Sequence, residues 1–403
     1  MRSPRIATEP IGERLRMLRL QRNWSIRYAA SRAGISHVQW SRLERGERSA
    51  DNRFMLAALA KALNVPLAEL TGTGAIGPEH GEAETKSAIY HIVQAAIEAD
   101  LEDPPGTTEG ELESSIQRLD LVMDLRLKCD YTGAAKLIPP LLRELHAAAF
   151  GNDRERALEA LVLAQDTASF VIRYLGDPAS AVLIADRGRQ AATYLQNPVM
   201  LGLSAWSQAH AASGCGLYAR ALRIAERATT ELEPHTDKPH GKEMLGQLYM
   251  MTGFSKWALG DTSAAEAAIG EAERIAQLTG QSPALGLNFG PTAIDVWRVS
   301  MNADAGDPRA AVQIARDIDP TGIAGISRSR QAAFYIDTAR ALSNINKDAE
   351  ALRMLLNAER LAPQRVRLSP LVTETVRHLL EKSRRGTGWT ELRALCERVG
   401  VNP

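Results

Sequence analysis

The sequence predicts an all-α chain, a basic head of five short helices followed by a long array of helical hairpins. Three observations predict it. Alanine outnumbers valine 62 to 16 and only 20 of 403 residues are aromatic, a bias toward helix, where alanine loses least on ordering and valine loses rotamer freedom. Residues 1–70 carry 13 Lys and Arg, twelve of them Arg, against 6 Asp and Glu, although the whole chain has no net charge. A basic head therefore precedes an acidic body. Within that body an apolar-periodic run recurs about every 40 residues, the mark of stacked helical units. The fractions of apolar (45%) and charged (24%) residues are ordinary for a globular protein and exclude a wholly disordered chain. Three cysteines without a CxxC pair exclude a disulfide framework or zinc knuckle and suit a reducing cytoplasm. No run approaches the ~20 apolar residues of a membrane span, and the first ten residues lack the apolar core of a signal peptide.

In the head, Ile11, Leu15, Leu18 and Leu20 lie near one face of a first helix whose other positions include Arg14, Arg16, Arg19 and Arg22. Asn23 and Trp24 break it. Ser25 then stands where a hydroxyl caps a second helix running to about Ala33, with Ala29 and Ala30 small enough for a close helix crossing. Gly34 suits a left-handed stop, Ile35 an apolar plug, and Ser36 the cap of a third helix to about Arg45. Gly46 closes that helix. A fourth amphipathic segment covers Phe54–Leu63, and Pro66 opens a short last helix, Leu67–Leu70.

The run SIRYAASRAGISHVQWSRLERGERS resembles the helix-turn-helix of the XRE family, which includes phage Cro and repressor proteins. Gly34-Ile35-Ser36 at the turn and Ser41-Arg42-Leu43-Glu44-Arg45-Gly46 carry the resemblance, which extends through FMLAALAKALNVPLAEL, about 60 residues in all. It implies double-stranded DNA as partner, with the third helix in the major groove. His37, Val38, Gln39, Ser41 and Arg42 would then face bases, and Arg42 could donate two bonds to guanine. The alternative for Arg42 is an ion pair with Glu44 or Glu47, and for His37 plain solvation. Ser25, Ser36, Arg45 and Arg48 would hold phosphates, which gives affinity without sequence choice. Trp40 and Leu43, on the opposite face, should be core, and Glu44 should tie the third helix to its neighbours. Tyr28 and Trp40 are larger than the residues the family often places there.

Domain boundaries follow composition: 1–70 as the head, Thr71–Lys86 as a flexible linker, 87–403 as the repeat body. Gly72, Gly74 and Gly77 in the linker match GxGxxG, but no strand precedes them, so a nucleotide loop is not expected. In the body, Ala135, Ala181, Ala221, Ala265, Ala311 and Ala351 stand 46, 40, 44, 46 and 40 residues apart. Small or apolar residues follow each at +3 and +7, one helix face repeated. Asp177, Asp261 and Asp307 lie four residues before three of these alanines, in Gly-Asp turns that end one helix and cap the next. First helices are read at Arg154–Tyr174, Glu243–Leu259 and Ser327–Asn346, and second helices at Pro178–Leu195, Ser263–Leu278 and Ala349–Leu361. Six or seven hairpins result. The body is similar to tetratricopeptide repeats in architecture more than in consensus, and head plus body resemble regulators of peptide-sensing and actinobacterial types.

No HExxH, GxSxG or P-loop is present, so no enzyme, catalytic residue or cofactor is expected. His235 and His240 flank Asp237 in the loop PHTDKPH, but loop histidines without an ordered third ligand are read as solvated, and no metal is assigned. Aromatics and methionines concentrate at Tyr249, Met250, Met251, Phe254, Trp257, Asn288, Phe289, Trp297, Arg298, Met301 and Asn302. Tyr249, Met250, Asn288, Phe289, Trp297, Arg298, Met301 and Asn302 are the candidate ligand pocket for a small molecule or peptide; the competing reading is ordinary inter-repeat core. These features point to a cytoplasmic, homodimeric transcriptional regulator that binds a palindromic operator and senses an effector, with no membrane partner. The alternative is a scaffold whose repeats bind a partner protein while the head only places it on DNA.

Overall fold

The computed structural model describes residues 9–72, 80–103, 111–382 and 389–402. Among them are twenty-two α-helices and no strand. The first five are α1 (Ile11–Gln21), α2 (Ile26–Ala33), α3 (His37–Glu44), α4 (Arg53–Leu63) and α5 (Leu67–Thr71). Next come α6 (His80–Glu98), α7 (Leu112–Leu127), α8 (Tyr131–Ala148), α9 (Arg154–Tyr174), α10 (Pro178–Leu195), α11 (Pro198–Gly214), α12 (Tyr218–Leu232), α13 (Gly241–Ala258) and α14 (Thr262–Thr279). The last are α15 (Pro291–Ala305), α16 (Pro308–Asp317), α17 (Pro320–Gly325), α18 (Arg328–Asn344), α19 (Asp348–Leu361), α20 (Pro363–Arg367), α21 (Pro370–Lys382) and α22 (Trp389–Val399). Of the expected linker, residues 73–79, including Gly74 and Gly77, lie outside the described residues. Helix begins again at His80, earlier than the expected Lys86, because Glu82, Ala83, Glu84 and Lys86 are good helix formers and Thr85 is buried.

The repeat is visible in its turns. Gly176, Gly260 and Gly306 take positive φ, and the next residue caps the following helix: Asp177 accepts from the Ser180 amide at 3.0 Å, Asp261 from Ala264 at 3.1 Å and Asp307 from Ala310 at 3.0 Å. Asp130 caps α8 through the Gly133 amide in the same way, with Cys129 in the left-handed position that glycine holds elsewhere. All six aligned alanines are buried. The seam they begin runs through +4 as well as the expected +3 and +7: at +3 Ile138, Ile184 and Ala268 are buried and Ile224, Ile314 and Met354 half-buried, while at +4 Ala185, Ala225, Ile269 and Leu355 are buried and Ala315 half-buried. At about 100° per residue, +4 and +7 fall within about 40° of the alanine, while +3 falls about 60° away.

The helices gather into two compact units. Glu84–Trp297 with Pro320–Arg330 form one. There each helix from α7 to α14 packs on its chain neighbour, and α7 also packs on α9, α9 on α11 and α11 on α13. The first helices of successive hairpins thus share one layer, as in a helical-repeat array. The layer holds a buried ion pair, Arg126 to Asp166 at 2.9 Å. Beside it, Arg126 covers the Phe170 ring, and His210 stacks on both Phe170 and Trp206.

The other unit joins Met1–Ala83 to Arg298–Asp319 and Gln331–Pro403. Its head has a core of Ile11, Leu15, Leu18, Ala29, Ala30, Trp40, Leu43, Leu56, Leu59, Leu63 and Leu70, with Leu371 of α21 packed against it. A buried charge cluster joins α4 to α15 and α18. Arg53 reaches Asp304 at 2.6 Å and Asp337 at 2.9 Å, and Arg340 reaches the same two carboxylates at 2.5 and 2.6 Å. Arg340 also donates to the Asp51 carbonyl, Ser300 to Asp337, and Thr375 to the Asp51 carboxylate at 3.2 Å. Burial alone would push Asp337 up, yet Arg53, Arg340 and the Ser300 hydroxyl hold it well below the ordinary carboxylate range.

Candidate nucleic-acid interface

Local chemistry sets the two helices of the motif. Ser25 accepts the Tyr28 amide at 3.2 Å and Ser36 the Gln39 amide at 3.1 Å, so both N-termini are capped by exposed serines. Between them Gly34 takes φ +70°, the conformation that turns α2 into α3. Behind α3, Trp40 and Leu43 are fully buried. The indole finds its partner within its own helix, Nε1 donating to Glu44 Oε1 at 2.5 Å, so the large residue fits. Arg19 of α1 grips Glu44 with two bonds, at 2.6 and 2.9 Å, and donates to the Trp24 carbonyl at 2.8 Å. The hydrogen bond to Glu44 raises the Arg19 pKa against the opposing effect of burial. Tyr28 points outward and meets the edge of Trp24, whose ring is faced by Arg32 at 4.9 Å.

Gly12 carries no local signal in the sequence. A Cβ there would lie 2.2 Å from the Leu43 carbonyl oxygen, so only glycine lets α1 approach the end of α3. Its meaning depends on a neighbour 31 positions away.

On the outer face of α3, His37, Val38 and Arg42 are exposed and Gln39 and Ser41 half-buried; Val38 keeps 46% of its surface. Positions 37, 38, 41 and 42 share one side of the helix. Gln39 leans back toward the Met55 sulfur, 3.9 Å from its Nε2. Neither carboxylate considered for Arg42 takes it: Glu44 is held by Arg19 and Trp40, and Glu47 by Arg45 at 2.8 Å. Arg45 and Arg48 stand exposed just beyond the helix. The result is a protruding helix face with donors and an apolar group, capped amides at both N-termini, and exposed guanidinium groups at its rim. Such a surface suits a groove with phosphates on its edges.

The residues grouped as a ligand pocket are distributed differently. Met250, Phe289 and Met301 are core; the Phe289 ring lies where a Cβ of Gly246 would be, 2.1 Å away. Asn288, at φ +57°, accepts from the Ser327 amide at 3.1 Å, and its carbonyl accepts from Gln247 at 3.3 Å. Trp297 is half-buried, edge-on to Phe254 at 5.3 Å with the Arg330 guanidinium 5.0 Å from its ring centre. Asn302 donates to the Arg298 carbonyl at 2.9 Å. Tyr249 stands elsewhere, on an open groove of about 430 Å³ with Thr252, Ala264, Ala268 and Glu271. Burial and its bond to Glu233 push its phenol up to about 12. The aromatic stack of Phe170, Trp206 and His210 was missed because its members sit at unremarkable helical spacings on two helices. Among the described residues, no three of His, Cys, Asp and Glu could hold a metal ion, and no helix is long and apolar enough to cross a membrane.

No curated protein matches the chain. Residues 10–71 match the family model of a helix-turn-helix domain, so the head is a helix-turn-helix domain.

Proposed function

We propose that the chain is an XRE-type, sequence-specific transcriptional regulator that binds a palindromic operator as a homodimer. In this reading α3 reads bases through His37, Val38, Gln39, Ser41 and Arg42, and Ser25, Ser36, Arg45 and Arg48 hold phosphates. The carrying observation is the state of Arg42: it is exposed on the outer face of α3 while Glu44 and Glu47 are engaged by other partners. The helical-repeat region, of tetratricopeptide and actinobacterial type, serves dimerisation and the sensing of a small molecule or peptide in the cytoplasm, without enzymatic activity. The helices from α7 to α14, each packed on its chain neighbours, support that division of labour.

The test is a selection of the full-length protein on random DNA at ~150 mM salt, where unspecific binding is suppressed. An inverted repeat is the expected product. Arg42→Ala should then cost about 1–3 kcal/mol on the selected site and relax its sequence, while Arg45→Ala weakens all DNA alike. Equal losses on selected and random DNA for both variants would remove the assignment.

A further inference from the structure

Behind the DNA-facing helix lies a cavity of about 110 Å³, in which the head meets α21. Pro10, Gly12 and Glu13 of α1 line it on one side, Leu43–Arg45 and the turn through Ala50 on another, and α21 supplies the rest. From α21 come Glu374, Arg377, His378 and Glu381, at positions that share one face of the helix. Two groups here are left incomplete by the protein. Ser49 is 8% exposed and its hydroxyl has no partner; His378 is half-buried and its Nδ1 has none. The Glu381 carboxylate, on an exposed residue at the cavity's mouth, lies beside Gly46, 3.5 Å from where a Cβ would be, and makes no hydrogen bond among the described residues. Buried polar atoms in native proteins are nearly always paired, so a hydroxyl and a ring nitrogen unpaired in one cavity point to an occupant.

The chemistry of that occupant follows from the lining. The buried Glu374 accepts from the Ile11 amide at 3.4 Å and from Arg377, so Arg377 is already engaged. Arg45 is held by Glu47. What remains is the Arg48 guanidinium and a set of acceptors, the Glu381 carboxylate, His378 Nδ1 and Ser49 Oγ with Glu13 beside them, so that the lining carries four carboxylates, Glu13, Glu44, Glu374 and Glu381, against three guanidinium groups, Arg45, Arg48 and Arg377. Burial pushes both Glu374 and Glu381 up, so a positive charge in the cavity would be welcomed by each. An anion would meet these carboxylates unfavourably. A metal ion lacks a cage, since no three ligands converge among the described residues. The volume corresponds to about three or four water molecules, too little for a drug-sized ligand and enough for the head of an alkylamine.

We propose that this cavity binds a primary ammonium group, of a short amine or the end of a diamine, through Glu381, His378 Nδ1 and Ser49 Oγ. The occupant touches α1, the end of α3 and α21 at once. It therefore favours the arrangement in which the head is docked on α21, and Arg45 and Arg48, which line the same cavity, couple it to the phosphate-facing rim.

Isothermal titration of the full chain with 1,4-diaminobutane, without DNA, tests the site independently of the DNA-binding reading. One equivalent should bind, and Glu381→Gln should weaken binding about tenfold or more, since a charge-assisted bond is lost. Ser49→Ala deletes a hydroxyl that the empty protein leaves unpaired, so it should weaken binding without lowering the melting temperature of the free protein. Tetramethylammonium, which has no N–H, and inorganic phosphate should not bind. Absence of diamine binding up to ~10 mM, affinity unchanged in both variants, or equal binding of tetramethylammonium or phosphate would each overturn the assignment.

Discussion

Asp304→Asn is the substitution that most directly tests how the head is held. The Asp304 side chain is wholly buried and accepts from the Arg53 backbone amide at 3.0 Å, from Arg53 Nη1 at 2.6 Å and from Arg340 Nη2 at 2.5 Å. Arg53 keeps 30% of its side chain in solvent, but its guanidinium is enclosed between Asp304 and Asp337, and Arg340 is sealed completely. Removing one of two carboxylates leaves two guanidinium groups sharing Asp337. Two charge-assisted bonds at about 1.5–3 kcal/mol each, set against the amide's residual acceptor, give a loss of about 3–5 kcal/mol, the usual cost of breaking a buried pair. Because the chain has two compact units, a single unfolding midpoint would blur the effect. Hydrogen exchange resolves it: opening free energies of α4 and α18 amides should fall by that amount, while α9 and α10, in the other unit, should stay within about 0.5 kcal/mol. Undiminished protection in α4, or an equal loss in α9 and α10, would refute the reasoning. Arg53→Met combined with Asp304→Leu should cost less than the sum of the two single changes, since an apolar pair needs no counter-charge.

Three further outcomes are expected. Gly12→Ala should destabilise the head by about 2–3 kcal/mol and abolish DNA binding, because its Cβ would sit 2.2 Å from the Leu43 carbonyl; chemical denaturation and a DNA-binding assay check it. Gly260→Ala has open space around the new methyl, so its cost, about 1–2 kcal/mol by denaturation, is that of φ +88° alone; a loss below ~0.3 kcal/mol would show that the turn relaxes. Burial lowers His146 and His378, so from about pH 6.5 down to their folded values the unfolded chain binds more protons and stability falls. His146→Gln and His378→Gln should each flatten that slope between pH 7 and 5, whereas the depressed Asp337 contributes fully above about pH 4 and is lost only below it.

What the sequence made legible was local or periodic. Ser25, Gly34 and Ser36 were readable because a cap and a left-handed turn act within three or four residues, and Trp40 and Leu43 because one helix face repeats. The Gly-Asp turns and the buried alanines were readable for the same reason. The partners of Arg53, 251 and 284 positions away, were not, since nothing in a lone arginine names its carboxylate. The ligand-pocket grouping shows the complementary limit. Met250, Phe289 and Met301 have the composition of an adaptable pocket and the positions of core, and only packing separates the two.

The long reach of Arg53 sets a timetable for synthesis. At about 5–20 residues per second, Asp304 is translated roughly 12–50 s after Arg53. For that interval the newborn head carries its arginine in water, with α2 and α3 already capped by Ser25 and Ser36. It is assembled before it is anchored, and the last third of the chain decides when that early freedom ends.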